Sequence, residues 1–238
     1  MGKTIGLPFQ VRNSCVPALE NKRPPLVRGD SKGPIIVGTV HLDFDEGPVL
    51  ESCLEALGPN VVTLEISGYA VRFRQTKGHV LLERLSMYRD GNSELPPGLQ
   101  PLEAQVKLPY EYTSALRYTT MANACLTLLG DDRVSRRRLD LLETEAFSRK
   151  NLDKLAGLHA PGIDKAVEAE KNRASIWFAA GPLPCAGSEG LHREEAFMAE
   201  RIKEFARRGL VVVHVGGWEH MAGLAGLLGI DLNRSPLS

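Results

Sequence analysis

Two Gly-x-x-His tetrads stand near opposite ends of the chain, Gly38-Thr39-Val40-His41 and Gly217-Trp218-Glu219-His220, each behind an apolar β-like run. A third run, Asn60-Val61-Val62-Thr63-Leu64-Glu65-Ile66, carries Glu65 at its far end. An apolar sheet does not hold a carboxylate there without a partner. Two imidazoles and a carboxylate suit a divalent ion such as manganese, cobalt or zinc that keeps open positions for water, so His41, Glu65 and His220 are the expected metal ligands. Such an ion lowers the pKa of bound water toward neutrality.

The neighbouring residues have several available roles. Glu65 is a ligand, a general base on the bound water, or the partner of Arg193 in a structural ion pair. Arg193 offers a fixed donor fork for a developing oxyanion or for a substrate carboxylate; as an alternative it is an exposed arginine at a helix start. Glu219 is a second candidate base or ligand. Asp43, two residues after His41, is expected to orient that imidazole as outer-shell carboxylates commonly do. His214 lies inside a strand and reads as a core histidine. Trp218 either lines the pocket mouth or packs under the last helix.

For these groups to meet, their strands must lie side by side and parallel, because an open parallel α/β sheet gathers distant residues in the crevice outside its carboxyl ends. The pattern agrees. Residues 34–40, 60–66 and 210–215 read as short buried strands, and Val49, Leu50, Cys53, Leu54 and Leu57 mark a helix over 45–57. Helix 192–208 turns Phe197, Met198, Ile202 and Phe205 inward and ends at Gly209; a final helix carries Met221, Leu224 and Leu227. Between the two blocks, residues 71–180 read as a helical insertion, with segments near 71–90, 110–129, 133–156 and 163–180, broken at Pro96-Pro97-Gly98. The expectation is one α/β domain over 1–238 with a mainly parallel sheet, flanking helices and an insertion covering the strand-end crevice. Residues 1–33 form a leading arm or irregular edge, and the Gly- and Pro-rich stretch 181–190 reads as a hinge back into the core.

Bulk properties narrow the function classes. The chain has 238 residues, 43% hydrophobic and 24% charged, an ordinary soluble globular composition. Its 29 basic and 29 acidic residues cancel, which gives no default attraction to nucleic acid or to an acidic lipid surface. Arg136-Arg137-Arg138 is flanked by Asp131, Asp132, Asp140 and Glu143 and reads as a solvated helix face. Cys15, Cys53, Cys125 and Cys185 form no CxxC pair and read as buried small hydrophobes in a cytoplasmic, reducing setting. No secretory signal or membrane-length apolar run is written.

The pieces GTVHLD, VVTLEIS, HREEAFMAERI and LVVVHVGGWEHMAGL, in that order, resemble the TraB/PrgY and Tiki superfamily, and more distantly erythromycin esterase and ChaN-like proteins. The resemblance covers the two blocks that flank the helical middle. It implies site roles for His41, Glu65, Arg193 and His220 and a metal-dependent hydrolase acting on a peptide or a related amide or ester. Glu194 stands where the family has Asp or Asn after the arginine, and Trp218-Glu219 stand where small residues are usual. The ChaN likeness implies an alternative, a non-catalytic haem- or peptide-binding protein; without a CxxCH site any haem would be non-covalent. A scaffold with an empty crevice is the third reading.

Overall fold

In a computed structural model, residues 26–29, 33–91, 94–180 and 189–232 are described. Most of the expected leading arm and the centre of the expected hinge, 181–188, lie outside them.

Five strands form the sheet: β1 (Leu26–Gly29), β2 (Ile35–Thr39), β3 (Val61–Leu64), β4 (Cys125–Leu128) and β5 (Val212–Gly217). Their spatial order is β1-β2-β5-β3-β4. The last four are parallel, and β1 pairs antiparallel with β2 at the edge. All of β2, β3 and β5 is buried, which is why these strands read as nearly continuous apolar runs: a parallel sheet is covered on both faces.

The helices are α1 (Gly47–Leu57), α2 (Gly68–Ser86), α3 (Gln100–Val106), α4 (Tyr110–Ala122), α5 (Asp132–Leu141), α6 (Arg149–Ala156), α7 (Ile163–Ala180), α8 (Glu189–Arg207) and α9 (Met221–Leu228). Helix α1 starts at a proline in its first turn and stops at Gly58, whose φ of 57° lets its N–H reach Leu54 O. On one face of the sheet α1 and α4 bury Leu50, Leu54, Ala115 and Tyr118 against Ile35, Val62, Val213 and Val215. On the other, α8 and α9 bury Met198, Ile202 and Leu224 against Val61 and Val212. Leu54 is fully buried, and its truncation to alanine should cost about 2–5 kcal/mol.

The middle of the chain, expected to be a mainly helical insertion, departs from its predicted segments at one place. Residues 125–128, read from sequence as the end of a helix, form β4 and extend the sheet beside β3. Strand β4 is only four residues long and half-exposed, so its register partner, not its own pattern, decides its conformation. The remaining helices build a second small core from Phe73, Leu81, Leu85, Leu99, Leu139 and Phe147. Helix α8 also differs in phase: Phe197 is 55% exposed, while Glu195 faces inward with Met198, Ala199 and Ile202. Gly209 does take the left-handed conformation, φ 75°, expected of a helix terminator. Cys53 is buried and Cys125 is exposed, against the expectation for the latter. No helix among the described residues is long and apolar enough to cross a membrane.

Candidate active site at the strand ends

Because β5 lies between β2 and β3, the residues that leave these three strands emerge next to one another. Gly38 is level with Gly216, and Thr63 is level with His214. The chain segments carrying His41, Glu65 and His220 therefore converge, as the parallel arrangement requires. The loop bearing Glu65 is fixed from behind by Gly130, where a Cβ would stand 2.6 Å from Ser67 N and 2.7 Å from Ile66 C. Only glycine allows that approach.

Glu65 is the centre of the cluster. Its Oε2 accepts from the Gly217 backbone N–H at 2.8 Å, and its Oε1 accepts from His220 Nε2 at 3.0 Å. Burial works to raise its pKa, but the His220 hydrogen bond, the His41 and His220 charges and the Gly217 N–H together hold it at about 2. The carboxylate is thus ionised throughout the ordinary pH range. It is a fixed anion, and a weak proton acceptor.

His220 is buried between two carboxylates. Nδ1 lies 3.4 Å from Oε1 of Glu195, whose side chain is 4% exposed, while Nε2 faces Glu65. Burial opposes its charge, yet the Glu65 hydrogen bond and the Glu65 and Glu195 charges raise its pKa. Nε2 is committed to Glu65, whereas Nδ1 faces the Glu195 carboxylate without a hydrogen bond. Helix α9 comes close enough at Gly223 that any Cβ there would collide with the Glu195 carboxylate.

His41 is held differently. Its Nδ1 donates to Glu111 Oε1 at 2.8 Å; the imidazole side chain is 51% exposed, whereas Glu111 is 8% exposed. Thr39 Oγ1 lies 3.1 Å from the same carboxylate oxygen and 3.0 Å from Gly216 O, so its proton ties β2 to one or the other. Desolvation lowers the His41 pKa, but the hydrogen bond and charge of Glu111, with Glu65 and Glu170, raise it from 6.5 to about 9. Half of the ring faces solvent, and screening by water limits that rise. The other nitrogen, Nε2, lies 2.8 Å from where a Gly217 Cβ would be, with Glu65 Oε2 3.6 Å from the same point.

Asp43, the expected orienting group, is engaged elsewhere: with Glu46 it holds Lys171 of α7. Orientation of His41 falls to Glu111. Trp218 donates from Nε1 to Glu170 Oε1 at 3.2 Å and meets Trp177 edge to face with centroids 6.2 Å apart, so α7 is fastened beside the second tetrad. Arg193 is exposed on α8 and Glu219 is exposed on the turn before His220. Neither is among the described residues lining the cleft. His214 is a core histidine, 1% exposed, with Nδ1 3.0 Å from Thr63 Oγ1. Burial pushes its pKa down to about 4, against the pull of Glu65, so it is neutral beside the charged cluster.

A cavity of about 840 Å³ opens over this cluster, walled by strand-end residues Leu64, Glu65 and Gly216 and by Ala70, Leu139 and Leu142 of the second core. The middle of the chain therefore does cover the crevice. Two buried glutamates, Glu111 and Glu195, went unmarked in the sequence. Each repeats the inward face of its helix: Glu111 with Ser114, Ala115 and Tyr118, and Glu195 with Met198, Ala199 and Ile202. A carboxylate in phase with a buried stripe was the available signal.

No group of three or more His, Cys, Asp or Glu among the described residues is placed so as to hold a metal ion. His41 and Glu65 face a common space, but His220 is buried, holds Glu65 through Nε2 and is not among the described residues lining the cavity, so the expected three-ligand set does not fit as arranged. The fold and the cluster define a mainly parallel α/β protein with a histidine and glutamate centre at its strand ends. Comparison with family models, with curated proteins and with solved structures finds no match to this chain.

Proposed function

We propose that the chain is a hydrolase acting on the amide or ester bond of a peptide or related small molecule, with His41 as the group that takes a proton from the attacking water. The observation carrying this reading is the clamp of Glu111 on His41 Nδ1 at 2.8 Å, which fixes the ring and leaves Nε2 beside the cavity. A buried carboxylate on the far nitrogen selects the tautomer whose other nitrogen accepts a proton, and it stabilises the imidazolium that forms. Glu65, anionic and close enough to act on His41 by its charge, adds to that stabilisation. His220 hydrogen-bonds Glu65 through Nε2 and keeps it in place. The raised pKa of His41 places the working range on the alkaline side of neutrality.

A divalent ion is the second reading, favoured by the common space that His41 Nε2 and Glu65 Oε2 face over Gly217. Those two residues would hold it, and the chemistry supplied on binding would be an acidified water. The test of both readings is turnover of a library of N-acyl peptides, amides and aryl esters by protein purified without an affinity tag, with its metal content measured. Wild-type turnover lost in both His41→Ala and Glu111→Gln supports the first reading. Turnover that follows metal content, and that chelation removes, supports the second. Absence of turnover throughout the library, or full activity in His41→Ala, would overturn the hydrolase reading.

A further inference from the structure

Two guanidinium groups stand in the wall of the cavity. Arg74 on α2 and Arg138 on α5 both line it, and no ion pair of either is found among the described residues. Arg74 is half-buried; one terminal nitrogen donates to Ala70 O in its own helix at 3.0 Å, and Nε is buried with no partner. Burial and the nearby charge of Arg138 both disfavour its cationic form, with only Glu111 counted in its favour. Two like charges near one another on the cavity wall, and a buried donor left unsatisfied, cost free energy that an entering anion relieves. Arg136, two residues earlier and so on the other side of α5, packs over the Tyr69 ring 4.6 Å from its centroid instead, so the arginine run divides between the two sides of the helix.

The geometry points to Arg74 and Arg138 as a subsite for a carboxylate of the substrate, placed in the same cavity as His41. This inference rests on the proposed hydrolase for the idea of a substrate, and on the two guanidinium groups alone for the anion. A guanidinium fork matches a planar carboxylate with two parallel N–H donors. The charge on the group follows from the rest of the wall. Glu65, Glu111, Glu145 and Glu170 also line the cavity, against His41 and the two arginines. Four acids would repel a phosphate dianion more strongly than a monoanion. With four carboxylates against at most three cations the wall as a whole does not draw an anion, so the contact is local to the two guanidinium groups: a peptide or N-acyl amino acid with a free terminal carboxylate meets them, and the corresponding amide leaves them unanswered.

The test compares binding of N-acetyl-alanyl-alanine, its terminal amide and inorganic phosphate by calorimetry, on the full chain carrying His41→Ala so that nothing is turned over. The acid should bind at least about tenfold more tightly than the amide, the scale of one charge-assisted contact. Arg138→Gln, at an exposed helix position, and Arg74→Lys, which keeps charge but loses the fork, should each remove that preference while the circular dichroism spectrum stays unchanged. Equal binding of acid and amide, tighter binding of phosphate, no binding of either peptide, or an unaltered preference in Arg138→Gln would overturn the subsite. Preference for the acid without any wild-type turnover would remove the hydrolase reading and leave the subsite standing.

Discussion

Glu111→Gln isolates the electrostatic core of the site. The substitution keeps the shape and one acceptor oxygen of a side chain that is 6% exposed, but it removes the charge behind the His41 Nδ1 contact. In the wild type the His41 pKa stands at about 9 against an ordinary 6.5. At about 1.4 kcal/mol per unit that gap corresponds to about 3 kcal/mol before screening. Since the His41 side chain is 51% exposed, solvent reduces the contribution to about 1–2 kcal/mol. A histidine whose folded pKa is raised contributes this stability fully below 6.5, and loses it as pH rises through about 9. Denaturant melts should therefore show Glu111→Gln less stable than wild type by about 1–2 kcal/mol more near pH 6 than near pH 10. Ring-proton NMR should place the His41 titration at least about one unit lower in the variant, since desolvation, which opposes the charge, loses its main counterweight. If turnover is found, the rising limb of kcat/KM should move acidward with it. A His41 titration that stays where it is in wild type would refute the clamp, and with it the assignment of His41 as base.

Gly217→Ala places a methyl 2.8 Å from His41 Nε2 while its φ of −57° suits any residue, so kcat should fall by about tenfold or more with less than about 1 kcal/mol of stability lost; unchanged kcat would mean that no reacting group uses that space. Gly223→Ala should displace the buried Glu195 carboxylate and destabilise the fold by about 1–3 kcal/mol, with the His220 titration shifted down; a variant as stable as wild type would show that α9 does not hold Glu195. Glu65→Gln should cost about 1.5–3 kcal/mol at neutral pH, because it removes the carboxylate that His220 Nε2 and the Gly217 N–H both contact. Because the folded pKa of Glu65 is depressed to about 2, its contribution is present above 4.5 and disappears as pH falls through about 2; acid denaturation of the variant should lack that limb, and identical acid curves would count against the pair.

Much of the frame was legible in the sequence, for local reasons. A buried parallel strand needs an apolar run, so residues 34–40, 60–66 and 210–215 announced β2, β3 and β5 within a few residues. The spacing of Val49, Leu50, Cys53, Leu54 and Leu57 marked α1, and Gly209 closed α8 because it acts through its own φ. The convergence of His41, Glu65 and His220 followed from placing all three at the carboxyl ends of such strands. Strand β4 was not legible: its four half-exposed residues have their conformation fixed by pairing with β3 across the sheet.

The partners within the site were decided only by tertiary structure. A histidine two residues from Asp43 looks oriented by it, yet Lys171 from a distant helix takes that carboxylate and Glu111, 70 positions away, takes the imidazole. His220 becomes an ion-pair centre because α8 and α9 pack so closely at Gly223 that Glu195 is pressed against it. Arg138, one of three consecutive arginines in the sequence, reaches the cavity because the second core sets the rotation of α5 over the strand ends. Sequence pattern records most of the buried strands and helix faces, since those depend on neighbours a few positions away, though Phe197 and Cys125, read as buried, are exposed. Which charge meets which is set by the order of strands and the phase of helices about the sheet, and no local pattern encodes either.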